Sequence, residues 1–187
     1  GAGVVALERY QLGPGLAGPV GVVAQAARSA DAIFIPDGSD AVPAVVRSLA
    51  AAGVKPRSIQ LLGSGLWDDP RIFSDPDLHG GWYAAPDSNG FRNFSARYRT
   101  RFGQDPVRTA TLSYDAVALV AALVKTQGPA RFSQETLTNP SGFTGTEGLF
   151  RFRSDATNER GLAVLRVTQG GPQVASPSPK SFGPSGT

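Results

Sequence analysis

Short apolar runs alternate with segments of helical spacing through the first third of the chain. Ala32 to Ile35 is a continuous apolar run that ends at a Pro-Asp-Gly turn, and Ile59 to Leu62, which is apolar apart from Gln60, is predicted as the next strand and ends at Gly-Ser-Gly. Between them, apolar residues recur every three or four positions up to Gly53. An unbroken apolar run such as Ala32 to Ile35 is typical of a strand covered on both faces, as in a parallel sheet, and the strand-helix-strand order predicts parallel strands joined by a helix.

The helix between these two strands has its own start and stop signals. Ser39 or Asp40 would cap its first turn through a side-chain oxygen, and Pro43 falls in that turn, where its missing N–H costs little. Gly53 ends it. We expect its buried stripe to consist of Val42, Val45, Val46 and Leu49.

Further elements flank this unit. Gly3 to Leu7 has the pattern of a short buried strand, Val20 to Ser29 has the spacing of a helix, and Leu78 to Ala85 resembles another short strand. Strands and helices therefore alternate, which predicts a parallel sheet built from β-α-β units.

Two helices are predicted in the second half of the chain. One begins with Ser88 or Asn89 as its cap and runs to Arg101, with Gly103 ending it. The other, Ser113 to Gln127, is apolar almost all round, so we expect it to be deeply buried.

The period of the pattern then changes from that of a helix to that of a strand. Gly148 to Arg153 alternates apolar and polar residues, and Leu162 to Val167 is its expected return strand, so the pattern predicts a β-hairpin with one polar face. From Gly170 onward the chain consists mainly of Gly, Pro, Ser and other polar residues, and we expect a loosely draped tail.

Composition excludes several classes of function. The net charge is only +3 over 187 residues and the basic residues are scattered, whereas a nucleic-acid-binding face concentrates basic charge. Cysteine is absent, so thiol catalysis and thiolate metal sites are excluded. No apolar run approaches the ~20 residues of a membrane-spanning helix.

No arrangement of residues predicts catalysis. The one histidine, His79, has no evident nucleophile beside it, and Asp68 with Asp69 is better explained as the start of an Asp-Pro turn than as a pair of catalytic carboxylates. Gly63-Ser64-Gly65 follows a strand, but the third glycine and the opening helix of a dinucleotide-binding loop are missing. We therefore predict no enzyme activity, no cofactor and no metal.

Loops at the carboxyl ends of the predicted parallel strands are the best candidates for a contact surface, because ligands of open α/β sheets bind there. Trp67 would either line a cleft or cover the sheet, and Tyr114 at a helix start is expected to pack between two lobes of the fold rather than to face a cleft. The candidate ligand-binding residues are Asp37, Gly38, Ser39, Asp40, Ser64, Trp67, Asp68 and Tyr114.

Two motifs, in their order along the chain, carry a resemblance to a known family. Ser-Tyr-Asp-Ala at residues 113–116 follows an Arg-Phe-Gly-x-Asp-Pro segment, and Gly-Phe-x-Gly-x-x-Gly spans residues 142–148. With the earlier blocks at residues 29–54, 61–70 and 80–86, this series resembles the type I periplasmic binding proteins of the leucine/isoleucine/valine-binding kind. Among them it is most similar to the penicillin-binding protein activators, lipoproteins of the LppC/LpoA type.

The resemblance implies an α/β fold with two Rossmann-like lobes, of which this chain would hold only a part. Residues 1–86 would correspond to elements of the second lobe, residues 87–168 to elements that return to the first lobe, and residues 169–187 to a flexible tail. It also implies a location in the periplasm or cell envelope, with a lipid anchor on a missing N-terminal half. We expect that half, or a second chain, to cover surface that this chain would otherwise expose.

The resemblance also implies a ligand, but the residues that would hold it differ in this chain. Amino-acid binders of this family hold the ligand's ammonium with an acidic residue in the loop that matches residues 63–66, and contact it with an aromatic residue in the loop that matches residues 36–40. Here those loops read Gly-Ser-Gly-Leu and Pro-Asp-Gly-Ser-Asp. An ammonium without a counter-charge is costly to bury. The first expectation is therefore a non-catalytic activator that regulates peptidoglycan synthesis by contacting a synthase. The alternative is an ABC-transporter solute receptor for branched-chain amino acids or a related small molecule.

Overall fold

The chain folds into two compact units, which a computed structural model describes over residues 2–55 and 57–183. The first unit comprises Gly1–Ala85 and Val164–Ser176, and the second comprises Pro86–Ala163 and Pro177–Thr187. Two segments of the sequence therefore contribute to each unit.

A five-stranded sheet with the order β1-β2-β3-β7-β8 forms the centre of the first unit. Strand β1 (Ala32–Ile35) runs parallel to β2 (Gln60–Gly63), with Ile33 opposite Leu61, and β2 runs parallel to β3 (Trp82–Ala85). Strands β7 (Ala163–Thr168) and β8 (Gly171–Ser176) form an antiparallel pair beside β3. The predicted α/β class and parallel strand pairs are confirmed.

Among the described residues, three α-helices accompany this sheet. Helix α1 (Ala17–Ala26) continues into a 3₁₀ turn, Ala27–Ser29, and helix α3 is a single turn, Pro70–Phe73. Helix α2 (Val42–Ala51) buries the predicted stripe of Val42, Val45, Val46 and Leu49. Burying an aliphatic side chain of this size contributes about 1.5–3 kcal/mol, so this stripe is a main source of stability in the unit.

The predicted caps of α2 are not formed. The helix begins at Val42, and the residue before it, Ala41, makes no side-chain capping bond. The Ser39 hydroxyl instead donates to Asp69 Oδ2 at 2.7 Å, and Asp40 forms an ion pair with Arg71. Ser39 is thus committed to the loop after β2 and Asp40 to helix α3, and the local sequence does not reveal either contact.

The predicted strand at Gly3–Leu7 is wrong. This segment has no assigned secondary structure, and the Val4 and Leu7 side chains are 81% and 87% exposed. The expectation that β1 is covered on both faces is also wrong, because Phe34 is 61% exposed. Within the described residues β1 is an edge strand of the sheet. Residues 3–7 do not pair with it as a further strand, which is why their apolar side chains are not buried.

The described part of the second unit combines three α-helices with a small antiparallel sheet. Helix α4 (Ser88–Phe102) is capped by Asp87, which precedes the predicted caps Ser88 and Asn89. The Asp87 carboxylate accepts a hydrogen bond from Asn89 N at 2.8 Å. It ends at Gly103 (φ 71°), the predicted stop. Helices α5 (Ala110–Thr126) and α6 (Gln134–Leu137) follow. Strands β4 (Phe143–Gly145), β5 (Gly148–Phe152) and β6 (Asn158–Arg160) form the sheet.

Helix α5 is not deeply buried, contrary to the sequence-based expectation. Its buried side consists of Thr111, Asp115 and Leu123, whereas Val117 is 70% exposed and Val120 and Val124 are about half exposed. Apolar residues all round a helix predict burial only if neighbours surround it, and the described part of this unit covers one side.

The predicted hairpin partner and the predicted tail are both wrong. Strand β5 pairs with β6, Asn158–Arg160, rather than with Leu162–Val167. The reason is a tight turn directly after β5, in which Thr157 N donates to the Asp155 carboxylate, so the next residues already run back along β5. The predicted return strand is β7, which pairs with β8 in the other sheet.

Gly171–Ser176, expected to be loose, is a strand that begins after a tight turn, in which Thr168 Oγ1 donates to Gly171 O at 2.7 Å. Farther along, the Arg151 guanidinium lies 4.3 Å from the centre of the Phe182 ring, so this part of the chain also packs. Residues 184–187 of the expected tail lie outside the described residues.

Candidate ligand-binding site

Two loops meet at the carboxyl edge of the parallel strands in the first unit. One follows β1 and carries Asp37–Asp40, and the other follows β2 and carries residues 64–69. They touch: a Cβ added at Gly38 would lie 3.8 Å from Leu66 Cβ. All the predicted site residues except Tyr114 lie in these loops, at the edge where open α/β sheets bind ligands.

Asp37 is held by a tyrosine from the N-terminal segment. The Tyr10 hydroxyl donates a hydrogen bond to Asp37 Oδ2. Partial burial, this hydrogen bond and the Asp37 charge raise the pKa of Tyr10 well above its usual value, so the phenol stays a donor. Tyr10 was not predicted as a site residue. The sequence feature that could have pointed to it is its position after the apolar run at residues 3–7.

A second tyrosine supports Asp68. Tyr83 on β3 is almost fully buried, and its hydroxyl donates to Asp68 Oδ1 at 3.2 Å. Asp68 is half-buried. The alternation of β3 turns Tyr83 inward, so period-2 patterning could have identified it.

Arg71 ties the two loops together. Its guanidinium donates to Asp69 Oδ2 at 3.0 Å from the loop after β2 and to Asp40 Oδ1 from the loop after β1. The hydrogen bond from Arg71 is the main reason why the pKa of Asp69 falls to about 2. Ser39 donates a further hydrogen bond to Asp69, so Ser39, Asp40 and Asp69 fix the loops in place.

Trp67 covers the sheet rather than facing outward. Its side chain is 0% exposed, and its indole N–H donates to Ile35 O at 3.2 Å. A Cβ at Gly63 would lie 2.1 Å from the indole and one at Gly81 would lie 2.9 Å from it. The glycine before Ser64 is therefore required by the indole. Of the two interpretations of Trp67, the structure shows the one in which it packs on the sheet.

Tyr114 belongs to the second unit. It lies in the first turns of α5, and its ring packs edge-on against Phe94, with centroids 5.3 Å apart. Half of the side chain is exposed. This contact lies within the second unit, and the expected packing of Tyr114 between lobes stays a prediction.

The polar groups at this edge suit hydrogen bonding to a small ligand rather than catalysis. Carboxylates of Asp37 and Asp68 and the hydroxyl of Ser64 are half-buried or exposed. His79 Nε2 contacts Phe73 O at 2.9 Å and lies before β3, at the opposite end of that strand. Within residues 2–55 and 57–183, no group of three His, Cys, Asp or Glu side chains could hold a metal ion.

Sequence comparison decides the family. The profile of the periplasmic binding proteins matches residues 1–172, which is nearly the whole chain. The chain belongs to the periplasmic binding protein family. Members are binding proteins rather than enzymes, and the family implies a location outside the cytoplasm. No described helix has the length and apolar character needed to span a bilayer.

Solved structures share the fold. A Rhodospirillum rubrum protein described as a branched-chain amino acid ABC transporter is 23% identical, with a TM-score of 0.67 over 82% of this chain and 47% of its own. A leucine-binding protein from Thermotoga maritima is 17% identical (TM-score 0.57, 84% and 46%). An R. palustris ABC-transporter solute-binding protein in complex with benzoate is 16% identical (TM-score 0.54, 89% and 47%).

The chain spans about half the length of these structures. No curated protein sequence matches it significantly. At these identities the likeness establishes the fold of the matched part, and the resemblance to type I periplasmic binding proteins is confirmed.

Proposed function

We propose that the first unit supplies part of the ligand site of an ABC-transporter solute-binding protein, whose ligand is a branched-chain amino acid or a related small molecule. The observation that carries this proposal is the pair of supported carboxylates, Asp37 and Asp68, at the carboxyl edge of the sheet of a periplasmic binding protein. The proposed location is the periplasm.

The chemistry of this edge favours an amino acid over a simple organic acid. Structural neighbours include proteins whose ligands are leucine and benzoate, and only leucine carries an ammonium group. Asp37 accepts the Tyr10 hydroxyl and Asp68 accepts the Tyr83 hydroxyl. A carboxylate is the group that pairs best with a cationic donor such as an ammonium. These two carboxylates provide the counter-charge that the Gly-Ser-Gly-Leu loop itself lacks.

A thermal-shift screen tests the proposal directly, because a ligand that binds the folded state raises the melting temperature. We expect leucine, isoleucine or valine to raise it, and benzoate to have a smaller effect. Asp37→Asn and Asp68→Asn should abolish the shift. Asp31→Asn is the matched control, since Asp31 is an exposed carboxylate at the opposite end of β1. If no amino acid stabilises the wild-type chain, the proposal fails for this chain.

The activator interpretation is a second candidate, although the comparisons above do not support it. One observation favours it: Trp67 is buried, so no aromatic side chain in these two loops is available to contact an apolar ligand. A lipid-anchored protein of this kind would bind a peptidoglycan synthase through its surface. Co-purification with bifunctional synthases from the source organism tests this candidate, and recovery of none would reject it.

A further inference from the structure

Arg71 bonds to both loops of the candidate site. Its guanidinium donates to Asp40 in the loop after β1 and to Asp69 Oδ2, at 3.0 Å, in the loop after β2. Arg71 Nε also donates to Asp69 Oδ1 at 3.3 Å. A guanidinium presents five N–H donors in a rigid fork, so one side chain can bond two carboxylates at once and set the distance between them.

The bridge starts from a fixed point of the first unit. Arg71 lies in helix α3, and the next residue of that helix, Ile72, is 0% exposed and anchors it in the core. The backbone N–H of Arg71 donates to Asp69 Oδ1 at 2.8 Å, which holds the start of the helix to the loop before it. The guanidinium therefore fixes Asp40, and with it the loop after β1, relative to a buried part of the unit.

Both ends of the bridge are close in sequence to the proposed ligand carboxylates. Asp69 directly follows Asp68, and Asp40 lies three residues after Asp37. The chain between Asp37 and Asp40 is a tight turn, closed by two backbone hydrogen bonds of 3.0 Å to Gly38 O. Because these connections are short and hydrogen-bonded, the bridge also restrains the distance between the two carboxylates.

The ion pair that spans the loops is too exposed to contribute much stability. The side chains of Arg71 and Asp40 are 62% and 86% exposed, and water screens the attraction between exposed charges. Its effect on loop geometry does not require burial. Loops that already have the ligand-bound arrangement lose less conformational freedom on binding, which raises the affinity.

We propose that Arg71 is a positioning residue of the ligand site: by bridging Asp40 and Asp69, it holds Asp37 and Asp68 in their binding arrangement before the ligand arrives. This inference rests on the proposed function, in which those two carboxylates contact the ligand. Arg71 acts through them and does not contact the ligand itself.

Calorimetric titration with leucine tests the effect on affinity. We expect Arg71→Ala and Asp40→Ala each to lower the affinity about tenfold, because the loops must then be ordered during binding. Arg71→Lys should lose nearly as much, since a lysine ammonium lacks the fork that bonds both loops in one geometry. The matched control is Arg47→Ala, which removes an exposed arginine of α2 and should bind leucine as the wild type does.

A double variant distinguishes positioning from direct contact. Arg71→Ala combined with Asp40→Ala should lose no more affinity than either single variant, because both changes remove the same bridge. Losses that add would show that the two side chains act separately, and that result overturns the proposal. Wild-type affinity in folded Arg71→Ala, with only a lower melting temperature, would show a purely structural role and overturns it too.

Hydrogen exchange without a ligand separates this proposal from the ligand assignment. The amides of residues 41 and 42, which bond to Gly38 O, should exchange faster in Arg71→Ala than in the wild type. The Ala52 amide, which bonds to Ser48 O at the far end of α2, should be unchanged. If leucine, isoleucine and valine all fail to bind the wild type, the proposed function fails, and this comparison still decides whether Arg71 holds the loops. Equal exchange rates in the two proteins overturn the proposal.

Discussion

Asp115 accepts a hydrogen bond from the backbone N–H of Thr146 at 2.8 Å, and this bond joins helix α5 to the turn between β4 and β5. The turn has no room to shift: a Cβ at Gly145 would lie 2.4 Å from Asp115 Oδ2, and one at Gly90 would lie 1.9 Å from Thr146 O. The two sequence motifs that carried the family resemblance, residues 113–116 and 142–148, therefore meet in the second unit. Their spacing reflects a structural contact.

Replacing Asp115 should destabilise the second unit. Asp115 is buried, and Asp115→Ala leaves the Thr146 N–H without an acceptor, which costs about 1–3 kcal/mol. Asp115→Asn retains an oxygen acceptor and should cost less. Urea unfolding followed by circular dichroism measures both, with the exposed Asp105→Ala as control. Equal losses for Asp115→Ala and Asp105→Ala would contradict this role.

Buried Glu147 provides a second link in the same region. It accepts from Thr111 Oγ1 at 2.7 Å and pairs with Arg108. Arg108→Leu strands a buried carboxylate, so we expect a loss of about 1.5–3 kcal/mol, the range of a hydrogen bond to a charged group. Glu147→Gln removes the charge and should cost less. The order of the two urea midpoints is the test, and the reverse order would refute the assignment.

Gly63 is required by the Trp67 indole. Gly63→Ala would bring a Cβ to 2.1 Å from the ring, and overpacking of this kind costs about 1–3 kcal/mol or more. Gly21→Ala is the matched control, since Gly21 lies in α1 with no atom within 4 Å of an added Cβ. We expect that change to stabilise the chain by roughly 0.5–1 kcal/mol, because alanine favours a helix.

Thermal melting distinguishes these two glycine variants. Tryptophan emission of Gly63→Ala, recorded in a Trp82→Phe background, should shift to longer wavelength as Trp67 leaves its buried position. A Gly63→Ala variant with unchanged melting temperature and emission would show that the indole has room to move.

Acid stability should depend on Asp69. Its pKa is lowered from 3.8 to about 2, chiefly by the Arg71 hydrogen bond. A lowered folded-state pKa gives stability that is present above the unfolded pKa and is lost as the pH falls through the folded value. Between about pH 4 and pH 2 the wild type should therefore lose more stability than Asp69→Asn. Unfolding free energies measured across this range test the prediction, and parallel curves would contradict it.

The parallel sheet was predictable from local pattern because strands β1 and β2 are short, mainly apolar segments that end at turn residues and have a helix between them. The same reasoning placed the stripe of α2 correctly. It failed for Gly3–Leu7 and for α5, since an apolar pattern indicates which side chains could be buried but not whether a neighbour covers them. The strand after Gly170 was missed because its tight turn was taken for a loose segment.

The position of the candidate site could be predicted from the sequence, but the contacts between its residues could not. Strand ends located the loops at Asp37–Asp40 and residues 64–68. The partners that shape them lie far away along the chain: Tyr10 is 27 residues from Asp37, Arg71 is 31 residues from Asp40, and Tyr83 is 15 residues from Asp68. No local signal reports such pairs, and they also explain why Ser39 and Asp40 do not cap α2.

Amide chemical shifts recorded during a titration with leucine test the central claim most directly, because they report both binding and its position. We predict that the shifts concentrate at residues 37–40 and 64–68, at the carboxyl edge of the sheet, and that Asp37→Asn with Asp68→Asn removes them. The absence of shifts at saturating leucine, isoleucine and valine, or shifts confined to residues distant from these loops, would contradict the account.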